Sequence, residues 1–341
     1  MLRILTHTEI NRNEWRKLID ASPNTSFFQT PECYEFYKTL SFLRPFLFGV
    51  ADDNRLAGIA SGYIISEGKW IKPYFSRRAI IPGGILLHNN ISSGALEFLL
   101  SNVKNEIENN SIYLEIRNFT DYSSFKESFE AAGFLYHKHL NFQVNTSSDT
   151  SIVFTKLSAT KRRQIKQTLA AGVTCLPSTE SKDIEAFYSI LSDLHKTRIK
   201  TPLFPPEFFK EIVKYDFCRL FVVKRIEKVI GGICCVMLPD KTVYEWFVCG
   251  EEQPDTNIYP STLATWTAIE YASKNGYTCF DFMGAGKPDR EYGVRDFKAK
   301  FGGELVEHGR FLYICKPFLY KVGELVMTSD FLKSLIYNKL K

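Results

Sequence analysis

The feature that most constrains the fold of this chain is an internal repeat. Three short motifs recur in the same order, 172 to 175 residues apart. They pair Pro31-Glu32 with Pro206-Glu207, Leu47-Phe48 and Leu56-Ala57-Gly58 with Leu220-Phe221 and Val229-Ile230-Gly231, and the FKxxF motif of Phe125 to Phe129 with that of Phe297 to Phe301. Because three matches with nearly equal spacing rarely arise by chance, the sequence predicts two copies of one structural unit.

Both copies have the same predicted order of elements: helices, a strand hairpin, a helix, a strand, a helix and a strand. In the first copy, residues 46–50 and 57–65 form the hairpin, residues 70–75 a third strand, and residues 140–144 a closing strand. This order indicates an α/β (α+β) fold. We expect each copy to be a mixed, mostly antiparallel sheet flanked by helices.

A polar stretch without periodicity, residues 145–149, marks the boundary between the copies. The predicted domains are residues 1–146 and 147–316, followed by a helical tail, residues 317–341. The apolar residues of this tail share one face of a helix, and they are Phe331, Leu332, Leu335, Ile336 and Leu340. Packing against a domain or a partner chain explains this face, and contact with a membrane surface is the alternative.

Composition excludes several classes of protein. The 341 residues carry 43 Lys and Arg against 38 Asp and Glu, an excess too small for a protein that coats nucleic acid. No apolar run approaches the roughly 18 residues of a membrane span, and the N-terminus lacks the apolar segment of a signal peptide. The eight cysteines form no CxxC pair and the six histidines no ligand set, so buried reduced thiols and no metal site are predicted. We expect a cytoplasmic protein, with the inner face of the membrane as the alternative location.

Three segments of the second copy carry a family resemblance: LSATKRRQIKQTLAAGV (157–173), YPSTLATWTAIEYASKNGYTCFDFMGAG (259–286) and EYGVRDFKAKFGG (291–303). Together they resemble the Fem-type (FemABX-like) aminoacyl- and acyltransferases, over about residues 14–315. The resemblance implies two tandem GNAT-like (acyl-CoA N-acyltransferase) domains. It also implies transfer of an aminoacyl or acyl group onto an amine of a cell-wall or surface-polysaccharide precursor.

The same resemblance implies a small-molecule acceptor, a lipid- or nucleotide-linked sugar, and no tightly bound cofactor. Two donors stay open, aminoacyl-tRNA and acyl-CoA. Residues 88–93 and 251–259, where a CoA pyrophosphate would bind, lack the glycine spacing of such loops, and Glu251 would repel a phosphate. Residues 173–209 leave no room for the helical arm of some members that use tRNA. An acyl-CoA-dependent N-acyltransferase and a non-catalytic scaffold that binds a glycan precursor are the alternative functions.

Two residues are candidates for catalysis. The resemblance places Lys298, in the FKAKFG motif, beside the acyl carbonyl or a substrate phosphate. A cation there would stabilise the oxyanion of a tetrahedral intermediate, whereas a surface lysine between two core phenylalanines is the alternative. Glu245, on the strand before that of Asp281, could place a carboxylate in the site as a general base or as a ligand of the amine.

Three arginines are candidates for binding a substrate anion. Arg162 and Arg163 fall in the first turns of a helix that starts near Ser158, where cations oppose the helix dipole. Two interpretations are therefore open for these arginines: contact with a substrate phosphate, or simple exposure on a solvated face of the helix. The resemblance implies that Arg198 faces the substrate. The alternative is ordinary capping, because a cation at a helix C-terminus is favourable by itself.

Two further residues complete the predicted site. Asp281 ends a strand before a glycine-rich turn and is either a buried hydrogen-bond anchor or a substrate ligand. Tyr259 precedes the proline that opens the next helix and is expected to line the site.

Overall fold

The computed structural model describes residues 1–53, 55–66, 76–147, 149–251 and 256–328. The described chain divides into two compact units. The first comprises Met1–Lys138 and the chain from His308 on, and the second comprises His139–Glu307. Each unit is built on one mixed sheet, which confirms the predicted fold class. The predicted strand at residues 70–75 lies outside the described residues.

The first unit places helices against an eight-stranded sheet. Its strands are β1 (Arg3–Thr6), β2 (Leu43–Asp52), β3 (Arg55–Ile65), β4 (Arg78–Gly83), β5 (Leu86–Leu87), β6 (Tyr113–Asn118), β7 (Leu135–His137) and β15 (Arg310–Ile314). Its α-helices are α1 (Arg12–Ala21), α2 (Pro31–Lys38), α3 (Ser93–Ile107), α4 (Lys126–Ala131) and α11 (Pro317–Thr328). The strand order is β1-β2-β3-β4-β6-β15-β7, with β5 paired to β3.

The second unit has a seven-stranded sheet. Its strands are β8 (Leu140–Asn145), β9 (Val173–Pro177), β10 (Cys218–Arg225), β11 (Lys228–Leu238), β12 (Thr242–Gly250), β13 (Cys279–Asp281) and β14 (Glu304–Glu307). Its α-helices are α5 (Thr150–Lys156), α6 (Ala159–Ala170), α7 (Ser181–Leu194), α8 (Pro206–Ile212), α9 (Pro260–Lys274) and α10 (Gly293–Ala299). The strand order is β9-β10-β11-β12-β13-β8-β14.

Apart from β5, which has no described counterpart, the strand order of the first sheet matches that of the second. Each order contains a single parallel pair in its middle, β4 with β6 and β12 with β13, among antiparallel neighbours. The predicted duplication is therefore confirmed in three dimensions. Helix starts follow ordinary capping, since the Ser92 hydroxyl caps α3 and the Ser158 hydroxyl accepts a hydrogen bond from the Lys161 amide at the start of α6.

The predicted boundaries at residues 146 and 316 differ from those of the structure. Strand β8, expected to close the first copy, pairs with β13 and β14 in the second sheet, and β15 pairs with β6 and β7 in the first. Val144 of β8 is buried in the second core, whereas the ring of Phe311 in β15 stacks on Phe129 at 3.9 Å in the first. Strand β8 (LNFQVN) alternates and β15 (RFLYI) is a nearly continuous apolar run, but neither local pattern specifies which of the two sheets the strand joins.

The glycine that follows the second FKxxF motif allows close packing in the second unit. Gly302 has φ +77°, and a Cβ there would lie 2.5 Å from the carbonyl oxygen of Lys156 at the end of α5. We expect Gly302→Ala to lower the free energy of unfolding by about 3 kcal/mol or more, from backbone strain and overpacking together. Gly172→Ala is the matched control, because Gly172 has φ +73° with nothing within 4 Å, and should cost only about 1–2 kcal/mol. Urea unfolding of both variants measures the difference, and equal losses would contradict this packing role.

Candidate active site

The central parallel strands of the second unit separate partway along their length. Strands β12 and β13 pair only at Thr242–Tyr244 with Cys279–Asp281, although β12 continues to Gly250. In the first unit the equivalent strands pair over six residues, 78–83 with 113–118. Among the described residues, β11 pairs with residues 245–250 on one side and no strand pairs with them on the other, and we call this open edge the slot. Such an edge can bind an extended ligand through main-chain hydrogen bonds.

A β-bulge lies where the slot begins. Cys234 of β11 is opposite Phe247 and Cys235 is opposite Glu245, so Trp246 is the extra residue of β12. The rings of Trp246 and Phe247 consequently lie on one face and stack within 10° of parallel. Glu245 points to the other face, toward Thr265 of α9.

A buried ion pair occupies the closed end of this slot. The Lys298 ammonium lies 3.3 Å from Glu245 Oε1, and their side chains are 10% and 2% exposed. Thr265 Oγ1 donates to Glu245 Oε2 at 3.4 Å. Burial raises the pKa of the Glu245 carboxyl, and the Lys298 ammonium opposes that rise. A carboxylate in this position can exchange a proton nearer to neutral pH than an exposed one.

Lys298 also holds the turn that follows β13. Its ammonium donates to the carbonyl oxygens of Phe282 at 2.7 Å and Gly284 at 2.9 Å. With Glu245, these acceptors use all three N–H groups of the lysine. The predicted role of Lys298 as a donor to an oxyanion therefore requires that one of these bonds is exchanged when substrate binds.

The same turn is fixed from its other side. Met283 has φ +57°, a left-handed conformation that is uncommon for a residue with a side chain. Its amide donates to Asp281 Oδ1 at 2.6 Å, and the Gly284 amide donates to Asn141 Oδ1 at 2.8 Å. Arg295 Nε donates to the carbonyl oxygen of Ala285 at 2.9 Å. Local strain that is held by several independent bonds is typical of functional sites.

Asp281 acts as the anchor in this network. It is buried, and its two carboxylate oxygens accept hydrogen bonds from Asn141 Nδ2 at 2.8 Å and Gln143 Nε2 at 2.9 Å. The structure therefore favours the anchor interpretation of Asp281 over that of a substrate ligand.

A second buried lysine packs against the two phenylalanines of the FKxxF motif. Lys161, in the first turn of α6, is 4% exposed, and its Nζ donates to Thr262 Oγ1 at 2.8 Å. The same nitrogen lies 3.7 Å from the ring centroid of Phe297 and 5.0 Å from that of Phe301. Burial, with a smaller contribution from Lys300, lowers the pKa of Lys161 to about 7. Among the described residues, no ion pair involves Lys161.

The predicted anion-binding residues take different environments. Arg162 is half-buried and its guanidinium caps the end of α5, donating to the carbonyl oxygens of Thr155 and Leu157. Arg163 is exposed, and so is Arg198 in a π-helical turn, residues 195–199. Tyr259 is half-buried at the N-cap of α9. The structure thus joins Lys298, Glu245 and Asp281 in one network and leaves the substrate contacts of the other four as predictions.

The first unit lacks the charged pair of this site. In the matching FKxxF motif, Lys126 is 47% exposed and lies 3.7 Å from Glu130 on the same helix. By strand register, the residue equivalent to Glu245 is Ile81, which is fully buried among apolar side chains. The two lysines share a motif but not an environment, so the candidate site belongs to the second unit.

Three residues of the network were missed by sequence reasoning. Asn141 and Gln143 are polar positions on one face of an apolar strand, LNFQVN, which is a readable signal for a buried polar contact. Arg295 precedes Lys298 by three residues, the spacing that places two side chains on one face of a helix.

In the described part of the chain, no group of three or more His, Cys, Asp or Glu side chains is arranged to hold a metal ion. Within the same ranges, every helix is too short or too polar to cross a bilayer.

One protein-family model matches part of the chain. A model of the FemAB family matches residues 224–328, the segment that contains Glu245, Asp281 and Lys298. A search of curated proteins finds no match to the chain.

Similar solved structures cover almost the whole chain. FemX is 15% identical with a TM-score of 0.69, covering 94% of this chain and 99% of that chain. A tandem GNAT protein from the clavulanic acid biosynthesis pathway is 11% identical with a TM-score of 0.60, covering 92% and 99%. L-PGS from Bacillus licheniformis is 11% identical with a TM-score of 0.55, covering 90% and 92%. At these identities the likeness establishes the fold, and with the family match it confirms the resemblance to FemABX-like proteins with tandem GNAT folds.

Proposed function

We propose that this protein is a transferase that moves an aminoacyl or acyl group onto an amine of a cell-wall or surface-polysaccharide precursor. The observation that carries the proposal is the buried pair of Glu245 and Lys298 at the end of the slot between β12 and β13. The FemAB match over residues 224–328 and the FemX-like fold support the same class of chemistry.

In this proposal the donor lies extended along the open edge of β12. Main-chain N–H groups of residues 245–250 on the open side are placed to bind a carbonyl oxygen as it gains negative charge. The positive charge of Lys298, which lies 3.3 Å from Glu245 Oε1, favours the same oxyanion. Both a tRNA ester and a CoA thioester present an acyl carbonyl to such an edge.

Glu245 is the proposed proton acceptor. The acceptor amine attacks the acyl carbonyl carbon, and its proton passes to the Glu245 carboxylate. Collapse of the intermediate breaks the C–O bond of an ester, or the C–S bond of a thioester. The proton held by Glu245 then passes to the departing alcohol or thiol.

Two exposed arginines of the second unit are the proposed contacts for an anionic acceptor. In this proposal Arg163 and Arg198 bind a phosphate of a lipid- or nucleotide-linked sugar. Arg162 contributes less in this proposal, because its guanidinium already caps α5.

The test combines donors and acceptors in a transfer assay. The protein is incubated with acetyl-CoA or an aminoacyl-tRNA and with a UDP-linked muropeptide or a sugar nucleotide, and products are weighed by mass spectrometry. We expect one donor to add its acyl mass to an amine acceptor, with the rate falling about 10²-fold or more in Glu245→Gln. Folded wild-type protein that adds no mass with any pair would contradict the proposal.

A further inference from the structure

An apolar residue occupies the tip of one hairpin in the second unit. Strands β10 and β11 pair up to Arg225 and Lys228, so Ile226 and Glu227 form a two-residue turn. Ile226 has φ +57° and is 88% exposed. A β-branched side chain in the left-handed region is strained, and an exposed isoleucine gains nothing from burial. Neither folding nor solubility accounts for isoleucine at this position.

Other hairpins of the same chain use a residue suited to this conformation. Asp53, at the tip between β2 and β3, has φ +46°, and Asp240, between β11 and β12, has φ +59°. Asp53 precedes Ile226 by 173 residues, one of the offsets of the internal repeat. The equivalent turn of the first unit therefore carries the expected aspartate, and the isoleucine is specific to the second unit.

A second apolar turn lies at the same end of the sheet. Residues 169–172, Leu-Ala-Ala-Gly, are all exposed, and Leu169 is 50% exposed. The next residue, Val173, pairs with Arg225 at the base of the hairpin tip. We call Ile226 and residues 169–172 together the apolar tip.

Charged residues adjoin the apolar tip. Lys166 precedes Leu169 by three residues, and Arg225 and Glu227 flank Ile226; all three are exposed. Lys228 pairs with Glu251 at 2.8 Å and Lys224 with Asp183 at 2.7 Å. The local balance is mildly positive, which suits contact with anionic lipid headgroups.

We propose that the apolar tip is a contact site for an anionic phospholipid bilayer. Ile226 and Leu169 would enter the boundary between headgroups and acyl chains, while Arg225 and Lys166 meet phosphates. A protein interface fits less well, because five residues offer far less than the roughly 800 Å² per partner of a stable complex. This inference is independent of the transferase proposal, since it concerns where the second unit docks and not what it transfers.

The test measures binding of the full chain to vesicles. Wild-type protein is sedimented with vesicles of phosphatidylcholine alone or mixed with phosphatidylglycerol. We expect binding to the mixed vesicles and a drop of about tenfold in the partition coefficient for Ile226→Asp, as burial of an isoleucine side chain predicts. The same substitution should raise the midpoint of thermal unfolding by about 2–4 °C, because aspartate tolerates the left-handed conformation better. Loss of binding with gain of stability separates a docking role from a structural one.

Leu305→Asp is the matched control. Leu305 is 52% exposed on β14, the opposite edge of the same sheet, and its substitution should leave vesicle binding unchanged. Failure of the wild-type protein to bind the mixed vesicles would overturn the proposal. Binding of Ile226→Asp as strong as that of wild type would also overturn it, because another segment would then be responsible for binding. A concentration-dependent dimer that disappears in Ile226→Asp would also overturn it, by assigning the tip to self-association.

Discussion

Lys298→Ala is expected to lower the free energy of unfolding of the second unit by about 3–5 kcal/mol and the rate of transfer by about 10²–10³-fold. The loss of stability follows from burial, because removal of the lysine leaves the Glu245 carboxylate without its charged partner at 2% exposure. The substitution also removes the hydrogen bonds that Lys298 donates to the carbonyl oxygens of Phe282 and Gly284, which stabilise the turn after β13. Urea unfolding and transfer rates of the same preparations measure the two effects.

The control for this substitution is its counterpart in the repeat. Lys126→Ala removes a lysine from the same FKxxF motif, but this one is 47% exposed and weakly paired with Glu130. We expect a change within about 0.5 kcal/mol in stability and no change in transfer rate. A Lys298→Ala variant as stable as Lys126→Ala would contradict the buried pair.

Lys161→Met is expected to stabilise the second unit by a few kcal/mol at pH 6–7 and to flatten its dependence on pH. The folded-state pKa of Lys161 is lowered to about 7 from an ordinary value of 10.5, so folding disfavours its charged form. Between these two values the unfolded chain binds more protons, and stability must rise with pH. Below pH 7 both states hold the proton and the full penalty applies. Above 10.5 both have lost it and the penalty disappears.

Methionine suits this test because it fills a similar volume and its sulfur packs well on the rings of Phe297 and Phe301. The free energy of unfolding is measured in urea at several values between pH 6 and pH 10. Lys166→Met, an exposed position on the same helix, is the control and should keep the wild-type slope. A wild-type stability that falls from pH 7 to pH 10, or an unchanged slope in Lys161→Met, would contradict a neutral buried amine.

The fold was predictable wherever local patterns decide it. Repeat offsets of 172 to 175 residues, alternating strands and serine caps were sufficient for two mixed sheets and most of their elements. The exchange of β8 and β15 was not predictable, because the choice of sheet depends on partners distant in the chain, such as Phe129 for Phe311. The predicted domain boundaries therefore differ from those of the structure at the two places where the chain passes from one unit to the other.

The candidate site shows a similar division. The FKxxF motif and the strand residues Glu245 and Asp281 were found, but their pairing was not, since it depends on a bulge and on where two parallel strands part. Lys161 was not predicted to be buried. Its spacing to Ile165 and Thr168, which are buried on the same helix, was the available signal that it points inward.

The proposed function requires that the buried pair of Glu245 and Lys298 takes part in acyl transfer and does not only stabilise the fold. The most direct measurement is the transfer rate of the double variant Glu245→Gln/Lys298→Met, compared with wild type and with Lys126→Met. Removing both charges avoids an unpaired buried ion, so the double variant should unfold less readily than Lys298→Ala. We expect a folded double variant whose transfer rate is reduced by about 10²-fold or more, and a Lys126→Met variant whose rate is unchanged. A folded double variant that transfers at the wild-type rate would contradict it.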